Sequence, residues 1–589
     1  MDMLFEEVAK AYSQIEAESG RINMTKILAD LFSKTPPDLL DKVVYLTLGK
    51  LYPDYVGVEL GMADRLAIKA ISIASGLSEG EIERMYKEMG DLGSVAEAAL
   101  KRKTQMAFFV EDLTVQKVYG NLERIAKATG AGSQDRKIRL LAELLNIAKP
   151  LEARYIVRMV TGRLRLGVAD MTVLDALAVA FAMTKAVREK IERAYNLHPD
   201  LGYIAKVLAK EGLEGVEKIG ITLGIPVRPM LAERLKNLDE IFEKIGPRVA
   251  FEYKYDGMRA QIHIGEKVKM IYSRRLENVT HQFPDVLKAV EEAFQGREAI
   301  FDGEMVPVDV NTGELLPFQV VSHRRGRKYD IEKMVEEIPV ILFLFDIIYL
   351  DGEDLTMKPY EERREILERV VKETEKVRYA HRIVTEDKLE AQNFMDQAIL
   401  DGCEGVVAKK LGPDAIYRAG VRGFLWIKYK RDYQMELGDT LDLVVVGAFA
   451  GKGKRKGTYG ALLMAAYNPE RDMFETVCKL GTGFSDEELA ELPKKLEPYR
   501  IDHKHPRVDS QIEADFWFVP SVVLEVVGAE ITLSPVHTAA RDKLRKGAGL
   551  AVRFPRFTGR WRTDKKPEDA TTIQELIEMY KNQVKKVVE

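Results

Sequence analysis

The chain has 589 residues, 46% of them apolar and 31% charged, and a formal net charge of −4. That length exceeds a single core and predicts about two to four domains, and the near-balanced charge excludes a globally basic protein, so any nucleic-acid contact has to come from local patches. The only two cysteines, Cys403 and Cys478, lie far apart, which argues against a disulfide framework or a cysteine-type zinc site, and no apolar run is long enough to span a membrane. The expectation is a soluble, intracellular (cytoplasmic) protein, and the high Lys and Glu content leans towards a thermophilic source.

The first 220 or so residues read as successive helices. Met1–Glu18 sets Leu4, Val8, Tyr12 and Ile15 at helical spacing and carries acidic residues, unlike a signal peptide. Further helices are predicted over Met24–Ser33, Pro36–Leu51, Ser78–Met89, Asp112–Thr129, Gln134–Ile147, Met171–Met183 and Lys185–Tyr195. No fixed repeat period is visible, which disfavours a solenoid. Thr161–Gly167 sets Arg163 and Arg165 between glycines just before a helical run, a pattern suited to backbone phosphates and equally to a solvated loop. Gln105, followed by Phe108 and Phe109 after a basic cluster at 101–103, resembles a shortened sliding-clamp-binding peptide, with core packing of the two rings as the competing reading.

At Gly224–Met230 two prolines predict an extended connector. Strands and helices then alternate. Strands are expected over Val249–Tyr255, Arg259–Ile264, Val268–Tyr272, Glu298–Val306, Val340–Ile348, Gly405–Lys409 and Phe424–Tyr429, and helices over Pro284–Phe294, Tyr360–Lys372 and Lys388–Leu400. This is an α+β domain pattern. From about Gly438 short strands dominate: Leu441–Ala450, Tyr459–Tyr467, Phe474–Leu480 and Ser521–Ala529, with a helix over Asp486–Leu496. That texture suggests a small barrel such as an OB-fold. Thr572 and Glu575 have capping-box spacing ahead of a terminal helix, Ile573–Val588. The domains are expected at 1–225, 226–435 and 436–589.

The chemistry centres on Lys254-x-Asp256-Gly257-x-Arg259, where a strand delivers a lysine to an Asp-Gly turn between two short strands. A lysine is a nucleophile only when neutral, which needs nearby cations or desolvation, and Arg259 is one candidate neighbour. A solvated surface hairpin would show the same residues, so the downstream segments matter. Arg274 follows the third strand, Phe301-Asp302-Gly303-Glu304 ends the fourth, Phe345-Asp346 sits on an apolar strand, and Glu404-Gly405-Val406-Val407 opens another. Arg422 precedes Trp426-x-Lys428-x-Lys430, which puts both lysines on one strand face. Arg553-Phe-Pro-Arg556 leads to Arg562-x-Asp564-Lys565.

This order of motifs resembles that of the covalent nucleotidyltransferases, and over the whole chain it resembles the archaeal ATP-dependent DNA ligases, related to the eukaryotic replicative type. Met230-Leu-Ala-Glu233 and Arg553-Phe-Pro-Arg556 are typical of that group. The resemblance implies an all-α DNA-binding domain, an α+β adenylation domain and an all-β OB-fold domain with a C-terminal helix. It implies ATP and Mg2+ or Mn2+, nicked duplex DNA as substrate, a sliding clamp (PCNA) as partner, and a monomer acting in replication, repair and recombination. It assigns Lys254 as the residue that carries AMP, with Glu252 recognising the base and Phe345 stacking on adenine. Arg259 and Glu304 would hold the ribose, Arg274 and Arg422 would contact ATP, and Lys428 and Lys430 would neutralise the α-phosphate. Arg418 competes with Arg422 for its role. Glu304 and Glu404 are the implied metal ligands, and Arg562 and Lys565 the lid over the leaving pyrophosphate, with a hinge near Arg431–Asp439. Asp256 is expected to organise the turn. An RNA ligase or capping enzyme would share the central motifs without the long helical segment, and a non-catalytic clamp-associated scaffold would not need them intact. An NAD-dependent ligase would need a four-cysteine zinc module that two cysteines cannot supply.

Overall fold

The computed structural model describes residues 2–104, 111–164, 166–181, 184–431, 439–452 and 455–588. The chain divides into two compact units: Met1–Pro229 with Arg275–Asn278, and Met230–Arg274 with Val279–Glu589. The division at Pro229–Met230 falls in the proline-bearing connector.

The first unit is helical, from Phe5–Glu16 to Leu201–Glu217. Local chemistry accounts for several boundaries. Ser78 caps Glu79–Met89: its hydroxyl accepts from the Glu81 N–H at 3.2 Å, and the Glu81 carboxylate accepts from the Ser78 N–H at 2.9 Å. Val115–Lys127 buries Val115, Val118, Leu122 and Ile125, one stripe at helical spacing. Helices at Asp64–Ser75, Leu92–Thr104, Pro150–Val160 and Leu201–Glu217 add to those read from sequence. Among the described residues no helix is long and apolar enough to cross a membrane.

The second unit opens with two sheets. The first contains β1 (Leu231–Arg234), β2 (Val249–Lys254), β9 (Arg382–Thr385), β10 (Gly405–Lys410) and β11 (Arg422–Lys430), in the order β1-β11-β10-β2-β9. The second contains β3 (Met258–Ile264), β4 (Lys269–Ser273), β5 (Ala299–Pro307), β6 (Val340–Leu350), β7 (Glu353–Asp354) and β8 (Val377–Tyr379), in the order β4-β3-β5-β6-β7 with β8 on β6. The Asp-Gly turn therefore does not close a hairpin. It passes the chain from one sheet to the other, and β2 and β3 share no ladder. Gly257 is required there by close approach: a Cβ would lie 2.3 Å from the Met305 carbonyl oxygen. The helix Lys388–Leu400 covers the first sheet through Phe394, Met395, Ala398 and Ile399, and Pro284–Ala293 covers the second through Val286, Ala289 and Val290.

The remainder is β-rich. β12 (Leu441–Ala450), β13 (Tyr459–Asn468) and β14 (Met473–Leu480) form the centre of a sheet completed by β15 (Arg500–Ile501), β16 (Val508–Asp509), β17 (Phe516–Phe518), β18 (Val523–Val527) and β21 (Arg556–Trp561). β19 (Glu530–Ser534) and β20 (Gly549–Arg553) make a separate pair. Register shifts at Val445/Gly447 and Met464/Ala465 mark bulges, which increase local twist and bend the strands. The helices Asp486–Leu496 and Ile573–Val588 flank the sheet, and Thr572 and Glu575 form the expected reciprocal cap at 2.7 and 3.2 Å.

Candidate active site

Strand pairing brings the scattered motifs together. Lys254 ends β2 opposite Gly405, and the Glu404 N–H donates to the Lys254 carbonyl at 2.9 Å. That backbone bond sets Glu404 beside the lysine, and their side chains form an ion pair. On the other side of β10, Lys430 lies opposite Gly405 and Lys428 opposite Val407. Burial, followed by repulsion from Arg422, Lys254, Lys430 and Arg274, lowers the Lys428 pKa. Five cations from β2, β11 and the residue after β4 thus act on one region, an arrangement that favours a polyanionic ligand. Arg422 also donates to the Ala232 carbonyl at 3.1 Å.

Arg259 and Glu304 are partners across the β3–β5 ladder. Burial pushes Glu304 up to about 8, against the pull of Lys254 and Arg259 and with a push from Glu404. The two glutamates thus repel each other near Lys254, and a hard cation would relieve that repulsion. Among the described residues no group of three or more His, Cys, Asp or Glu could hold a metal ion. Glu304 and Glu404 offer two hard oxygen donors, the kind of set with which a magnesium-type ion keeps waters and shares substrate phosphates. Asp256 accepts from the Phe318 backbone N–H, and burial and then Glu404 raise its pKa.

Beside this charged region lies an aromatic one. Phe345, half-buried on β6, meets Trp426 edge-to-face with centroids 6.0 Å apart. The Lys409 ammonium sits 4.2 Å from the Trp426 centroid and 4.7 Å from that of Phe345, and the Arg259 guanidinium 5.4 Å from Phe345. Cations over ring faces fix an aromatic wall able to take a planar base. Glu252, two residues before Lys254 on the same strand face, is fully enclosed. Its carboxylate lies 2.8 Å from Lys409 and 3.8 Å from Arg364, and it accepts the Tyr360 hydroxyl. Below it, Arg363 and Asp346 form a fully buried bidentate pair at 2.8 and 3.0 Å.

Sequence reasoning missed Lys409 and Tyr417, and it noted Asp302 and Trp426 within motifs without giving them a role. Lys409 carried a signal, since a lysine on an apolar central strand has to be paired or functional. The hydrogen bond between Tyr417 and Asp302 spans 115 positions and leaves no local pattern.

Other expected residues lie elsewhere. Arg562 contacts Asp442 at 3.1 Å and Asp564 at 2.9 Å, and Lys565 contacts Asp442 at 2.7 Å, so one β12 carboxylate takes both cations. In the helical unit Arg163 pairs with Asp64 at 2.9 Å and donates to the Tyr86 hydroxyl at 2.8 Å. Arg165, Gln105, Phe108, Phe109 and most of the expected hinge, 432–438, lie outside the described residues.

Family models match three consecutive stretches: the DNA ligase N terminus over residues 4–178, the ATP dependent DNA ligase domain over 229–430, and the ATP dependent DNA ligase C terminal region over 455–565. DNA ligase 2 of Thermofilum pendens is 58% identical over 99% of this chain and 98% of that protein. The chain belongs to the ATP-dependent DNA ligases. DNA ligase 2 of Korarchaeum cryptofilum is 54% identical over 99% of this chain and 98% of its own, and the DNA ligase of Staphylothermus marinus 52% identical over the whole of both. A ligase of this family uses ATP and seals nicks in duplex DNA, joining a 3′-hydroxyl to a 5′-phosphate through enzyme- and DNA-adenylate stages. The RNA-ligase, capping-enzyme and scaffold alternatives are not favoured.

Proposed function

We propose that Lys254 is the residue through which this ligase carries AMP. The observation supporting this is the convergence on Lys254 of Glu404, Lys428 and Lys430 beside the Phe345–Trp426 wall. The Lys254 amine attacks the α-phosphorus of ATP, a P–N bond forms, and the bond to the β-phosphate oxygen breaks to release pyrophosphate. Glu404 is placed to hold and accept from the ammonium before that attack. Lys428 and Lys430, with Arg274 and Arg422, offset charge growing on the phosphates. Phe345 stacks on adenine, Glu252 reads the base, and Arg259 with Glu304 orients the ribose. Glu304 and Glu404 would hold Mg2+ or Mn2+, which supplies charge neutralisation at the transferring phosphate.

AMP then moves to the 5′-phosphate of the nick. The 3′-hydroxyl attacks that phosphate, and the bond to AMP breaks as the phosphodiester forms. Most of the protein's work is positioning and electrostatics. In this reading the chain divides into a DNA-binding domain (1–225), an adenylation domain (226–435) and an OB-fold domain (436–589); the bulges in the sheet of the last support the barrel. Arg562 and Lys565 orient pyrophosphate after exchanging Asp442 for it. The stretch of sequence holding Arg163 and Arg165 meets backbone phosphates, with Arg163 steadied by Asp64 and Tyr86. The sequence pattern alone supports Gln105, Phe108 and Phe109 as a sliding-clamp (PCNA) peptide, and a cytoplasmic monomer as the working form.

The test is sealing of a nicked duplex with ATP, ADP or NAD supplied separately, beside nicked RNA and triphosphate-ended RNA. Sealing of DNA with ATP, with DNA-adenylate accumulating when the 3′-hydroxyl is absent, is expected. Activity on RNA alone would overturn the reading.

A further inference from the structure

Arg259 is held by a closed ring of buried hydrogen bonds. Its Nε and Nη2 donate to the two oxygens of Asp302 at 3.0 and 2.7 Å, and its Nη1 donates to the Met230 carbonyl at 2.7 Å. The ring closes through Tyr417, whose hydroxyl donates to Asp302 Oδ2 at 2.7 Å and accepts from the Met230 N–H at 3.2 Å. These four residues come from β1's approach, β3, β5 and the loop before β11, so no single element fixes the guanidinium. Tyr417 and Asp302 are 2% and 1% exposed, and water cannot substitute for the hydroxyl. Burial and the Asp302 charge push the Tyr417 pKa far up, which keeps the hydroxyl a donor.

The same ring shapes the aromatic wall. Tyr417 meets Trp426 edge-to-face with centroids 5.7 Å apart, and Trp426 meets Phe345. Arg259 lies over both Phe345 and Trp426, at 5.4 and 5.8 Å. A guanidinium has five N–H donors and the ring uses three. The two that remain, one on each terminal nitrogen, have their direction set by the fork on Asp302.

We infer that Tyr417 is a positioning residue that sets ribose recognition, locking the Asp302 carboxylate so that Arg259 presents its remaining N–H groups to a sugar hydroxyl of ATP. This rests on the reading of Arg259 as the ribose contact. Without the Tyr417 oxygen, Asp302 Oδ2 loses a donor, the Met230 N–H is left buried without an acceptor, and the guanidinium is free to tilt. A core tyrosine with no such role would alter stability alone. A positioning tyrosine alters the choice between sugars.

The experiment measures single-turnover self-adenylation of the full-length chain with α-labelled ATP, 2′-deoxy-ATP and 3′-deoxy-ATP, for wild type, Tyr417→Phe and Asp302→Asn, with thermal unfolding alongside. Wild type should prefer ATP over at least one deoxynucleotide. Tyr417→Phe should raise the ATP concentration for half-maximal rate about tenfold, the scale of one lost hydrogen bond to a charged group. It should leave the requirement for the disfavoured deoxynucleotide nearly unchanged, so the preference collapses. Asp302→Asn should collapse it likewise, and carries the test if Tyr417→Phe does not fold. Equal losses on all three nucleotides, or no loss, would overturn the inference and leave Lys254 adenylation standing. No label on wild type from any nucleotide would overturn both.

Discussion

At the scale of single residues, the site sets two buried ion pairs, Glu252 with Lys409 and Asp346 with Arg363, beside a lysine among cations. Lys409 links the buried charges to the aromatic wall. Its ammonium lies 2.8 Å from Glu252 and over the rings of Trp426 and Phe345. Burial lowers its pKa and Glu252 opposes that shift. Lys409→Met should cost about 3–5 kcal/mol of stability, because Glu252 keeps a buried charge with less compensation. The double variant Lys409→Met/Glu252→Gln should recover most of that stability in denaturant unfolding and still require far more ATP for half-maximal self-adenylation. Recovery of ATP use together with stability would show that Lys409 and Glu252 only balance each other's charge. Lys254 and Arg259 stand close together in one short motif, whereas Glu304 joins them only through its pairing with Arg259 across the β3–β5 ladder. Tyr417 was not legible in the sequence, since its partner Asp302 lies 115 positions away.

Elements were legible where one periodicity covered them. Lys388–Leu400, Leu441–Ala450, Asp486–Leu496 and Ile573–Val588 have the predicted bounds. Leu92–Thr104 carries little amphipathic contrast, and tertiary contact decides such a helix. The Asp-Gly turn misled for a different reason. Its local signature is that of a hairpin, and the Met305 contact that admits only Gly257 comes from β5. Charge at an element's end also sets a pH dependence. Glu152, in the first turn of Pro150–Val160, is buried and accepts the Lys149 N–H at 2.8 Å, and burial pushes its pKa from about 4.5 up to about 7. A carboxyl raised on folding binds its proton more tightly when folded. Its favourable contribution is complete below about 4.5 and is lost as pH rises through about 7. Glu152→Gln keeps the acceptor and removes the charge. It should therefore stabilise the protein at pH 8, on the order of 1 kcal/mol, and give no gain at pH 4, read as unfolding midpoints. Equal effects at both values would place the shift elsewhere.

At the scale of the whole molecule, composition and texture indicated three segments, whereas contacts define two compact units. The difference comes from the β-rich segment. Arg553 on β20 donates to the Cys403 carbonyl at 3.0 Å, and Arg545 pairs with Asp396 on the helix Lys388–Leu400. Both links span about 150 residues and leave no trace in local pattern. The family's motifs nonetheless gave the chemistry, because covalent nucleotidyl transfer needs a lysine, carboxylates and phosphate-binding cations at strand ends, and those residue types survive in order along the chain. The central claim is that Lys254 takes AMP from ATP. Incubating the full-length chain with α-labelled ATP and a divalent metal, then mapping the label by peptide mass spectrometry, tests it most directly. One acid-labile, base-stable adenylyl group is expected on the peptide containing Lys254, and none on Lys254→Ala. Label at another lysine, or label that survives Lys254→Ala, would contradict it.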